Sequence, residues 1–292
     1  MTTLGVVFRP QLAPEKLRPL VRAADAAGLE ELWLWEDCFL ESGVAAASAA
    51  LAWSERLHVG VGLLPVPLRN VALTSMEAAT LLRLFPGRVS LSVGHGVQDW
   101  MGQVGARPAS PLTLLREYLS AMRALLRGER VTVDGQYVHL DSVALDWPPL
   151  EAPPVYAGGV GPRTLRLTGE AADGTILDAS FSAEGVRRAR QLVDEGRESA
   201  GRTGEGHHKV VVYLLAATGP GAAGRLHAEL AREGKESVPG LGVAGDAGAV
   251  AKAVQGLVEA GADTVVLQPT ADEPDPEGFV RFAAEEVRGL VP

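Results

Sequence analysis

Three short stretches hold residue types that could do chemistry. Residues 157–165, AGGVGPRTL, place Gly158, Gly159 and Gly161 around Val160, then Pro162 and Arg163. Glycines let a backbone approach a ligand closely, and proline suits a first helical turn. N–H groups at such a helix start form an anion site, and Arg163 adds a charge. The same glycines also serve a tight strand-to-helix turn with no ligand, and the spacing fits both readings. His95 stands between Gly94 and Gly96. Its imidazole suits a hydrogen bond to a substrate or cofactor carbonyl, or a proton transfer. A histidine packed against backbone fits the pattern as well. Asp37, in Glu36-Asp37-Cys38, is a ligand contact or a helix cap.

Other candidates are weaker. Cys38 is the single cysteine; no histidine or acid is placed to activate it as a nucleophile, and a small buried thiol is the simpler reading. Trp100-Met101 suits the wall of an aromatic site or a loop anchor. His58, His139, His207, His208 and His227 show no metal-ligand spacing, so no metal is expected.

These residues need elements to position them. Short apolar runs alternate with amphipathic ones along the chain. Strands are read at 4–8, 31–35, 57–65, 88–96, 153–159, 174–178, 209–218 and 263–269. Helical sequence follows each, including 14–27 before Gly28, 44–55, 70–84, 111–126, 162–172, 183–200 and 276–290. Asp246 is read as the cap of a helix running to Ala260. Pro19 falls inside the first helix and predicts a kink or a shifted start. Eight near-continuous apolar strands, each with a helix, predict one domain over 1–292, a (β/α)8 TIM barrel. Two segments break the rhythm. A hairpin insertion near 131–145 turns at Asp134-Gly135, and a polar Gly-rich insertion near 219–245 offers no confident barrel strand. An open doubly wound sheet is the alternative; the first turn, FRPQLAP, lacks the glycines of a dinucleotide fold. In a barrel the active site lies where the strands end. That selects Glu36-Asp37-Cys38, Gly62–Pro65, Gly94-His95-Gly96, Gly158–Arg163, Asp178 and Gln268.

Composition sets outer limits. Of 292 residues 47% are hydrophobic, enough for a large core. The net charge of −9 argues against a broad nucleic-acid footprint. One cysteine fits a reducing compartment, so a cytoplasmic location is expected. MTTLGVVFRP lacks a basic region followed by a long apolar run, and a secretory leader is not expected. No apolar stretch approaches the ~20 residues of a membrane span.

Taken in order, the motifs resemble the bacterial luciferase-like superfamily, and more narrowly its coenzyme F420-dependent branch. LWLWEDC, RLHVGVGLLPVPLRNVAL, FPGRVSLSVGHGVQDWM, PVYAGGVGPRTLRLTGEAADGTIL and VEAGADTVVLQP carry the resemblance nearly end to end. It implies that the Gly158–Gly161 turn, with Val160 and Arg163, holds the cofactor phosphate. It implies a non-prolyl cis peptide around Val61-Gly62-Leu63 backing the deazaflavin ring, with Asp37 and His95 beside that ring. It also implies a homodimer. Two positions depart from the sugar-phosphate dehydrogenases of this branch: Cys38 replaces a histidine, and Val97 replaces an acid. That specific activity is therefore not expected. The resulting expectation is an F420-dependent oxidoreductase acting on a small organic molecule, with His95 and Asp37 as catalytic candidates. An FMN-dependent monooxygenase is the alternative, and a non-catalytic flavin- or deazaflavin-binding protein is a third possibility.

Overall fold

Short, mostly apolar runs build the wall of a closed barrel. The computed structural model describes residues 2–291. The barrel strands are β1 (Thr3–Val7), β2 (Glu31–Leu34), β3 (His58–Pro65), β4 (Val89–Gly94), β7 (Val155–Gly158), β8 (Gly174–Leu177), β9 (Lys209–Ala217) and β11 (Thr264–Pro269). Each pairs in parallel with the next, and β11 pairs with β1 to close the ring.

Strand side chains alternate between two cores. Outward residues such as Leu4, Val6, Leu32, Val59 and Val265 pack under the helices. Inward residues Val7, Trp33, Tyr156, Ile176, Val211, Tyr213 and Val266 fill the barrel. Trp33 is fully buried there, and it requires Gly60 on the neighbouring strand. A Cβ at that position would lie 2.4 Å from the indole.

The outer helices include α1 (Leu17–Ala27), α2 (Gly43–Trp53), α3 (Val71–Leu84), α5 (Pro111–Leu126), α6 (Pro162–Ala171), α7 (Ala183–Ser199) and α9 (Ala247–Glu259). Pro14–Lys16 is a 3-10 turn, so α1 starts at Leu17 and Pro19 sits in its first turn. The missing proline N–H costs no helical hydrogen bond there. Gly28 ends α1 in the left-handed conformation, φ 76°. Asp246 caps α9 by accepting from Ala249 N. Helices α6 and α7 cross at Gly169 and Gly196. A Cβ on either would fall about 2 Å from the other helix's carbonyl oxygens, 2.0 Å from Val193 and 1.9 Å from Arg166.

The insertions take definite form. The hairpin is β5 (Val131–Asp134) with β6 (His139–Val143), joined by four residues and not by a tight Asp-Gly turn. Glu117 of α5 accepts the N–H groups of Gln136, Tyr137 and Val138, which stabilises the wider turn. The 219–245 segment contains α8 (Ala222–Arg232) and a two-residue strand, β10 (Val243–Ala244), on the end of β9. The last helix is shorter than expected. Regular helix α10 (Pro276–Arg281) passes into a π turn and a 3-10 turn. A short helix, α4 (Gln98–Gln103), occupies the loop after β4.

Candidate active site

The C-terminal ends of the strands surround a cavity of about 420 Å³. The loop after β2 supplies Asp37. Trp35 Nε1 donates to Asp37 Oδ2 at 2.9 Å, which aims the carboxylate. The helix-cap reading does not hold, because Ser42 caps α2. Burial raises the Asp37 carboxyl above the usual carboxylate range, opposed by the Trp35 hydrogen bond and by Arg9. Burial together with Glu36 and Asp37 pushes the Cys38 thiol up as well. A protonated thiol is a poor nucleophile.

Strand β3 supplies the next wall through a bulge. Its register against β4 jumps between Val61 and Leu64, and Gly62 and Leu63 line the cavity. The Gly62–Leu63 peptide is cis, as is Cys38–Phe39. From inside the barrel, the Tyr213 hydroxyl donates to the Gly62 carbonyl at 3.0 Å. A Cβ on Gly62 would lie 2.5 Å from that hydroxyl, so glycine and tyrosine fit as a pair. Val61 departs from expectation. It is fully buried among the residues packed under the helices and is absent from the cavity lining. One residue of register turns its side chain to the other face.

His95 lines the cavity from the end of β4. Its Nε2 lies 3.1 Å from Thr164 Oγ1, while Nδ1 is buried without a hydrogen-bond partner among the described residues. Burial pulls the imidazole below its ordinary range, opposed by the Pro111 carbonyl. The ring is therefore neutral at pH 7. Gln98 holds the His95 carbonyl at 3.1 Å.

After β7, Gly158, Gly159, Val160 and Gly161 line the cavity and lead into α6. No side chain caps α6, so its first N–H groups lack a side-chain acceptor. A Cβ on Gly159 would lie 2.2 Å from Thr164 Cγ2, and one on Gly158 would lie 2.5 Å from Leu63 Cδ2. Arg163 departs from expectation. It lies outside the cavity lining and borders a separate groove with Arg116 and Arg166. At the second position of α6 its side chain leaves on the helix's outer side, whereas Thr164, one residue on, faces the mouth.

Sequence reading passed over Trp35, Thr164, Ser180, Tyr213, Glu233 and Lys235, all of which line the cavity. Tyr213 shares the inward face of β9 with Val211, and strand alternation carried along that run points to it. Glu233 and Lys235 follow α8 in the Gly-rich insertion, where no periodic signal exists.

The described residues fit a planar aromatic cofactor bearing a phosphate. The glycine turn is a cradle that side chains would fill, α6 begins uncapped, and His95 presents an unmatched buried nitrogen. Among the described residues, no group of three or more His, Cys, Asp or Glu side chains is placed to hold a metal ion.

The chain belongs to the luciferase-like monooxygenase family, whose model matches residues 4–234. It is 28% identical over 201 residues to 5,10-methylenetetrahydromethanopterin reductase of Methanolobus tindarius, covering 68% of this chain and 61% of that protein. It is 32% identical over 210 residues to F420-dependent glucose-6-phosphate dehydrogenase of Mycolicibacterium fortuitum, covering 67% and 62%. The matched segment thus spans about three fifths of these curated relatives. The fold is similar to the coenzyme F420-dependent tetrahydromethanopterin reductase of Methanopyrus kandleri, with a TM-score of 0.85 at 20% identity over 100% of this chain and 99% of that one. It is similar to an F420-dependent secondary alcohol dehydrogenase in complex with an F420–acetone adduct, at 0.87 and 20% over the same shares. A Baeyer–Villiger monooxygenase component from Pseudomonas putida, in complex with FMN, superposes at 0.78 and 16% over 100% and 99%. At these identities the structures establish the barrel.

Proposed function

We propose that the protein is a coenzyme F420-dependent oxidoreductase that moves a hydride between the deazaflavin and an organic substrate. One observation carries this reading: the glycine turn at the start of α6, the Gly62–Leu63 bulge and His95 all line a single cavity. That cavity has an anion end and a wall for a flat ring. The names of the curated glucose-6-phosphate dehydrogenase and of the two best-superposing structures above favour F420.

When bound, the deazaflavin accepts or donates the hydride; the chain binds, orients and excludes water. Backbone N–H groups of Gly159, Val160, Gly161, Arg163 and Thr164 would hold the phosphate. The bulge would back the ring, with its Gly62 carbonyl fixed by Tyr213. Trp35 holds the Asp37 carboxylate in place. The Thr164 hydroxyl, 3.1 Å from Nε2, would hold the neutral His95 ring at the edge of the cavity. We also propose a homodimer, supported by the exposed apolar residues Leu73, Met76 and Leu84 along α3. The single cysteine supports a reducing, cytoplasmic setting. Among the described residues no helix is long and apolar enough to cross a membrane.

Equilibrium titration of the purified chain with F420 and with FMN tests the cofactor. F420 is expected to bind at least about tenfold tighter, a difference of about 1.4 kcal/mol. Tight FMN binding with no F420 binding would reverse the assignment and favour the monooxygenase reading, to which the family description and the Pseudomonas putida structure give weight.

A further inference from the structure

Gln268, near the end of β11, lines the cavity and is 7% exposed. None of the side-chain hydrogen bonds among the described residues involves it. A carboxamide carries two N–H donors and an acceptor oxygen, and those of Gln268 are not sealed into packed protein but open on the cavity. The cavity it lines is where a partner for that amide would sit.

The charges around it restrict that partner. Glu36, Asp37, Asp178, Glu233 and Lys235 are the charged side chains that line the cavity. Glu36 is taken by Arg69 at 2.8 Å. The Lys235 ammonium lies 2.7 Å from Glu233. Arg9, the cation beside Asp37, is taken by Glu229 at 2.7 Å. An anionic substrate would therefore meet the Asp37 and Asp178 carboxylates and no uncommitted cation. Like charges in a partly desolvated site repel strongly and select against such a ligand.

We infer that the organic substrate is uncharged and that Gln268 contacts its carbonyl or hydroxyl oxygen. The inference rests on the F420 reading and deepens it by naming the substrate class. It separates this site from one built for a phosphorylated sugar. The anion-binding features gather at the glycine turn, while the carboxylates and Gln268 belong to other strand ends.

The test uses the full chain and matched ligands. Acetone, dihydroxyacetone, glyceraldehyde and glucose are compared with dihydroxyacetone phosphate, glyceraldehyde 3-phosphate and glucose 6-phosphate. Calorimetry reads binding to the F420-loaded protein, and turnover is followed with reduced F420. At least one uncharged ligand is expected to bind about tenfold tighter than any phosphorylated one. Gln268→Leu is expected to weaken that ligand about tenfold while leaving the F420 Kd within about twofold. Gln268→Glu, which keeps the side chain's shape, should act in the same direction and serves if the leucine variant does not fold. Equal or tighter binding of phosphorylated ligands overturns the inference, as does binding of no uncharged one. An unchanged ligand affinity in both variants, or an equal loss of F420 affinity, also overturns it. Failure of the wild-type chain to bind F420 at all counts against the cofactor reading instead, and the same ligand titrations on the unloaded chain still decide the charge preference.

Discussion

Two histidines show how one residue type serves opposite ends of this barrel. His95 sits at the mouth, neutral, with Nε2 on Thr164 and Nδ1 unmatched. His208 sits at the other end, just before β9, with Nε2 2.8 Å from Thr175 Oγ1. Burial, together with Arg197, Arg190 and Arg202, pulls His208 down to about 3. The unfolded chain takes up that proton near the ordinary 6.5, while the fold resists it. Its contribution to stability is thus intact above about pH 6.5 and is lost as pH falls toward 3, at about 1.4 kcal/mol per pH unit. Urea unfolding at pH 7.5 and pH 5 should differ by about 2 kcal/mol on this account. His208→Asn should flatten that difference. An identical pH dependence in the variant would assign it elsewhere.

The proposed anion end belongs to the scale of the element, because backbone geometry would make it. Gly159 leaves room for Thr164, and Thr164 in turn reaches His95. A methyl group on Gly159 must displace Thr164 and with it the histidine's partner. Gly159→Ala is expected to weaken F420 binding by more than about tenfold, a loss above about 1.4 kcal/mol. Arg163→Ala, outside the cavity lining, is expected to change it less than about twofold. Paired titrations check both, and a larger loss for the arginine variant would return Arg163 to the phosphate site. The glycine turn was legible in sequence because glycine and proline mark backbone constraints directly. The direction of Arg163 was not, since one step along a helix turns a side chain by about 100°. Val61 shows the same limit in a strand, where the bulge decides which residue faces the mouth.

At the scale of the molecule, closing the sheet converts eight separate strand ends into one site. The outer surface is less complete. Leu73, Met76 and Leu84 lie along one side of α3 and are 46%, 57% and 66% exposed. Helix α2, close in the ring, is made almost entirely of small and apolar residues. A second copy on this face would remove that surface from water, at ~25 cal/mol per Å². Sedimentation is expected to give twice the 30.6 kDa chain mass, and Met76→Glu should shift the population toward monomer. A wild-type chain that sediments as a monomer at high concentration would leave the patch unexplained by self-association.

The sequence by itself determined the barrel and the places where its strands end. Apolar runs of the right length, separated by amphipathic segments and closed by Gly, Pro and capping residues, are local signals, and local signals suffice for those elements. It also marked Asp37, His95, Gly62 and the Gly158–Gly161 turn, all of which line the cavity. Only the tertiary structure decided which side chains meet. Tyr213 and Gly62 are 151 residues apart and share a hydrogen bond. Lys235 and Gln268 come from separate segments into one mouth. The physical reason is that barrel closure, strand register and the bulge of β3 are set by packing across distant strands, and no short window of sequence carries that information.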